Sequence, residues 1–114
     1  MADDNDNTVL DWMSPLFPTN VDPHYSLTIP KHIWTQIKTP LTHDMVVHFI
    51  EGEGLAYVGK LKIEKGGKLR VVGGGWKEFV EAKNLSMFDT CRFEVWDASA
   101  EEVVISVTRV AFGG

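Results

Sequence analysis

The chain has little cysteine: one residue, Cys91, among 114. No internal disulfide can form, and a reducing compartment is expected. No apolar run approaches the ~20 residues that a helix needs to cross a bilayer, so no membrane partner is expected. The polar, acidic opening Met-Ala-Asp-Asp-Asn-Asp matches neither a secretory signal nor an Arg-rich transit peptide. Motifs that carry chemistry are also missing. There is no Gly-x-Ser-x-Gly elbow and no His-x-x-x-His pair, and Gly73-Gly74-Gly75 lacks the Gly-Lys-Ser/Thr ending of a phosphate loop. His43 and His48 are five apart on one predicted strand and so point to opposite faces, where they cannot share a metal. Neither an enzyme, a cofactor nor a metal is expected.

Basic residues are absent from the first 30 positions; Lys31 is the first. Residues 1–22 carry Asp3, Asp4, Asp6, Asp11 and Asp22, which equals the whole formal charge of −5. The other 11 acidic residues are balanced by the 11 basic ones. Residues 1–9 read as an acidic disordered leader, and 10–114 as one domain. Within the formally neutral residues 23–114, Lys60, Lys62, Lys65, Lys68 and Arg70 crowd together, opposed only by Glu64.

The apolar pattern divides the body into short strands. Leu10 to Phe17 is interrupted by Pro15 and belongs at a sheet edge. Pro18 to Pro23 reads as a loop, and Tyr25 to Ile29 alternates as a half-buried strand does. Pro30 then opens a short helix with Ile33, Trp34 and Ile37 on one stripe, ended by Pro40. Strands follow over His43–Glu51, with Met45, Val47 and Phe49 inward, and over Leu55–Glu64. In the second of these Leu55, Tyr57, Leu61 and Ile63 share one face, and Lys60, Lys62 and Glu64 the other. A Gly66-Gly67 turn leads to Leu69–Val72. Gly73 to Gly75 opens a second helix, Gly75 letting the backbone turn sharply into it, with Trp76, Phe79 and Val80 at helical spacing, and strands over Thr90–Trp96 and Val103–Phe112 finish the chain. Seven strands and two short helices, with too little helix for parallel crossovers, predict a mainly β, mostly antiparallel open barrel, or pseudobarrel. Cys91 is expected in the core. Trp96 alternates with Arg92 and Glu94 and is expected outside it.

Two stretches carry a specific likeness. Gly75-Trp76, Phe79-Val80, Leu85 and Asp89, followed by a strand, together with Leu27-Thr-Ile-Pro-Lys31, resemble the signature segments of the B3 DNA-binding domain of plant transcription regulators. The resemblance spans about residues 10–112. It implies a nuclear, non-enzymatic module whose partner is double-stranded DNA, gripped in the major groove by two edge loops. The first arm maps to about Phe17–Ser26 and the second to about Ile63–Val72. The implied contacts are Lys60, Lys62, Lys65, Lys68 and Arg70 on or beside the second arm, and Thr19, Asn20, His24, Tyr25, Ser26 and Lys31 around the first. On the residues alone, a lysine-studded strand equally serves as a solvated edge guard. The first arm departs from the family by placing Ser26 where a basic residue is usual, so weak or low sequence specificity is expected. The alternative is a protein-interaction module that keeps the fold with its DNA role weakened or lost.

Overall fold

The computed structural model describes residues 10–36, 45–51, 54–64, 69–72, 74–98 and 102–113. The expectations placed on the leader, Ile37, Pro40, His43 and the Gly66-Gly67 turn lie outside these residues. The strands are β1 Leu10–Pro15, β2 Leu27–Ile29, β3 Met45–Ile50, β4 Tyr57–Ile63, β5 Leu69–Val72, β6 Thr90–Ala98 and β7 Glu102–Ala111. The helices are α1 Lys31–Trp34 and α2 Gly75–Ala82, with a 3-10 turn at Pro18–Asn20. The seven strands form one sheet in the order β1-β6-β7-β3-β4-β5-β2.

β1 and β2 follow each other in the chain yet form opposite edges, because the sheet curls until its edges approach. A groove of about 410 Å³ lies along that open seam, lined from one side by Trp12 and Phe17 and from the other by Leu27 and Thr28. The expected open barrel is therefore what forms, with β1 at an edge as Pro15 requires. All neighbouring strands are antiparallel except β3 and β7, which run parallel, Val47 beside Val103 and Phe49 beside Ile105. The intervening strands and α2 supply the long connection that a parallel pair needs.

Alternation puts Met45, Val47 and Phe49 of β3, Leu61 of β4, Leu69 and Val71 of β5, and Cys91, Phe93 and Val95 of β6 into one core. Helix α2 adds Trp76, Phe79 and Val80, and Trp76 is fully buried. Burying a ring of that size removes about 200 Å² from water, worth roughly 5 kcal/mol by area. Trp12 lies flat on Phe93, with centroids 4.7 Å apart. Alternation with Phe93 and Val95 puts Trp96 on the outer face, 52% exposed, where the β6–β7 register shifts between Val95 and Asp97.

Three expectations need correction. Leu55 does not share the inner face of β4. It precedes the strand and is 79% exposed, because the alternation begins only at Tyr57. Pro30 caps α1 and does not occupy its first turn. Gly75 was expected to serve a sharp turn, but its requirement is proximity: a Cβ there would lie 2.5 Å from the backbone of Val58 and Gly59. The facing Gly59 has no side chain either, so α2 seats directly on β4.

A buried carboxylate closes the far end. Asp89 accepts hydrogen bonds from the Ser86 and Gly113 amides, at 2.8 and 2.7 Å, and from Arg109 at 3.2 Å. Burial pushes its pKa up, but the two amides and the guanidinium outweigh that and hold it below the usual carboxylate range.

Candidate nucleic-acid interface

The first arm is a braced loop. Phe17 donates its amide to Asn20 Oδ1 at 2.7 Å, and Asn20 Nδ2 donates to the Ser26 carbonyl at 2.8 Å. The Ser26 amide returns a bond to the Thr19 carbonyl, and the amides of His24 and Tyr25 both donate to Val21. The core reaches into the arm as well, since Trp76 Nε1 donates to the Asn20 carbonyl at 2.8 Å. Trp76 thus fixes the loop while filling the core. Asn20 spends both ends of its amide on the arm's own backbone, which makes it the brace of the loop. Tyr25 turns the chain with a φ of 47°.

The second arm presents its cations on the outer face of the sheet. Lys60 and Lys62 are exposed on β4. Arg70 of β5 stands beside Lys62 on one side and Thr28 of β2 on the other, so a polar row crosses three strands. Lys65 and Lys68 lie outside the described residues. Arg70 is not a free charge: its Nε is 2.7 Å from Glu64 Oε2, a charge contact without hydrogen-bond alignment.

Several other cations are committed within the fold. Lys83 pairs with Glu51 at 3.4 Å, Arg92 with Asp11 and Glu94 at 3.0 and 3.5 Å, and Arg109 with Asp89. His48 Nε2 is 2.6 Å from Glu102 Oε1. Lys31, Lys60, Lys62 and Lys77 have no carboxylate partner among the described residues.

The two arms meet in a groove of about 400 Å³, lined by Asp22, His24, Tyr25, Ser26, Arg70 and Lys77 among others. Three of the expected first-arm residues thus share a site with one from the second arm. Thr19 and Asn20 face the seam groove instead, also reached by Ser26. Lys31 is exposed at the start of α1 and lines neither groove. Lys77 is the residue that the sequence reading passed over. It lies on the solvent side of α2, and its Nζ sits 5.5 Å from the centre of the Tyr25 ring. Its signal was its place directly after the Gly-Trp pair, two residues before Phe79 and so on the helix face opposite that ring. The Tyr25 phenol has its pKa pushed up, first by its own desolvation and then by the Asp22 and Glu81 carboxylates. It therefore remains a neutral hydroxyl. The groove sets Arg70 and Lys77, a phenol and a serine hydroxyl against the carboxylate of Asp22. Among the described residues no three potential metal ligands come together.

The family model for the B3 DNA binding domain matches residues 12–111. Two solved structures are similar in fold. A hypothetical protein of Arabidopsis thaliana is 20% identical, with 96% of each chain covered and a TM-score of 0.61. The protein in the Arabidopsis FUS3–DNA complex is 16% identical, over 91% of this chain and 99% of that one, with a TM-score of 0.62. No curated protein matches.

Proposed function

The chain belongs to the B3 DNA binding domain family, and from that premise we propose that it binds double-stranded DNA as the reading module of a transcription regulator in the nucleus. The observation that carries this reading is the groove between the two arms, flanked by the row of Lys62, Arg70 and Thr28. The first arm enters the major groove with Tyr25, Ser26 and His24. The second contributes Lys60, Lys62, Lys65, Lys68 and Arg70, mainly to phosphates. Phosphate contacts fix register and orientation but carry no sequence information. The first arm holds no lysine or arginine, and its Asn20 is engaged in bracing, so binding is of low sequence specificity.

Fluorescence anisotropy with a random duplex of about 20 base pairs tests this, at about 50 mM and then about 200 mM salt. Neutralising three to five phosphates predicts a loss of roughly 40-fold to 500-fold between these conditions. Absence of binding at the lower salt refutes the reading. A protein-interaction role is the second reading, favoured by Met13 and Phe17. They line the seam groove while 63% and 51% exposed. Trp12 itself is buried and offers no such surface.

A further inference from the structure

Without Lys77, the fixed charges around the groove between the arms sum against an anion. Asp22 lines the groove opposite Arg70, and Arg70 is already partly neutralised by Glu64 at 2.7 Å. Those three alone leave the groove repelling phosphate. Lys77 offsets that excess and brings these four charges to zero. It is exposed, lines the same groove, has no carboxylate partner among the described residues, and is held toward the first arm by the Tyr25 ring.

We propose that Lys77 is a third DNA anchor, taking a backbone phosphodiester in the groove between the two arms, with Arg70 on the facing wall and Ser26 and Tyr25 as hydroxyl donors. This rests on the DNA-binding reading and deepens it. The anchor comes from helix α2, which Trp76 and Gly75 seat rigidly on the core, and not from a loop tip. A groove of about 400 Å³ admits the phosphate with its adjoining sugar. A lysine here acts as a point charge and positions the duplex without reading bases.

The test compares wild type with Lys77→Gln and Lys77→Arg in duplex titrations across a series of salt concentrations. Lys77→Gln is expected to bind roughly fivefold more weakly, and the slope of log affinity against log salt should shrink by about 0.9, the signature of one lost phosphate contact. Lys77→Arg should retain both affinity and slope. Because Lys77 is exposed, thermal melts of the variants should match wild type. Unchanged affinity in Lys77→Gln overturns the proposal. So does weaker binding with an unchanged slope, which would make Lys77 only a brace for Tyr25. Competition by inorganic phosphate beyond that of chloride at equal ionic strength would reassign the groove to the free anion and also overturn it. Failure of the wild-type chain to bind the duplex at all instead sinks the parent reading, so the two failures are told apart.

Discussion

If Arg70 takes a DNA phosphate as proposed, it does so only by leaving Glu64, and this makes Glu64→Gln the most informative single change on the second arm. The two charges are 2.7 Å apart. At that separation Coulomb attraction amounts to about 1.5 kcal/mol in water and roughly 6 kcal/mol at an effective dielectric near 20. The side chains are 40% and 33% exposed, so the watery limit governs. Pairs of this kind contribute about 0.5–1 kcal/mol once desolvation and side-chain ordering are included. Binding must forfeit that amount when Arg70 turns from the carboxylate to a phosphate.

Glu64→Gln keeps the side-chain shape and removes the competitor. Affinity for a random duplex should rise about twofold to fivefold, the equivalent of 0.5–1 kcal/mol. Any acidic residue near DNA weakens binding by simple repulsion, so the diagnostic is a double-mutant cycle. In an Arg70→Gln background the gain should largely disappear, because the pair is already broken. Anisotropy titrations of the four proteins at one salt concentration suffice. Equal gains in both backgrounds would show that Glu64 acts only through its field, and an unchanged affinity would show that Arg70 never leaves its partner.

Three further outcomes follow from the packing. Gly75→Ala drives a methyl to within 2.5 Å of Val58 and Gly59 and should cost about 3 kcal/mol, whereas Gly59→Ala, with its nearest atoms 3.5 Å away, should cost under about 1 kcal/mol. Denaturant melts that rank the two the other way would refute the close-seating account. Asp89→Ala strands two amides and a guanidinium, so a loss of about 3 kcal/mol and roughly 10 °C in melting temperature is expected. Because the folded pKa of Asp89 is depressed, its contribution is present above its ordinary value of 3.8 and lost as pH falls through the folded value. The variant's acid melting profile should therefore be flatter there than that of wild type. Burial pushes the Cys91 thiol up to about 11, so the group favours folding below about pH 9 and withdraws that support as pH climbs toward 11. At pH 8 a thiol reagent should label Cys91 only at the rate of unfolding, and rapid labelling of the native protein would contradict its burial.

What the sequence made legible was local. The alternation over Leu69–Val72 and the spacing of Trp76, Phe79 and Val80 each lie within a few residues, and both occur in the structure where the pattern put them. Leu55 failed because a period of two does not mark its own start. The pattern extends one more step toward the turn than the ladder does. The purpose of Gly75 was hidden for a different reason: its partner Gly59 is distant in sequence, and a contact between two missing side chains leaves no apolar signal at either position. The parallel pairing of β3 and β7 likewise joins strands that are distant in sequence, so neither strand alone announces it.

The candidate site divides along the same line. Clustered lysines announce a basic strand, but pairing decides which cations are available, and pairing is a property of the folded surface. Arg70 and Lys77 are equally basic residues in the sequence. In the structure one is held by Glu64 while the other leans over an aromatic ring with no ion-pair partner among the described residues. Away from the groove, Asp11 and Glu94 engage Arg92, Asp89 engages Arg109 and Glu51 engages Lys83. A net charge of zero is therefore compatible with DNA binding on one face. For the same reason its strength should depend on Lys60, Lys62 and Lys77, the exposed lysines along the row and in the groove, more than on the total count of basic residues.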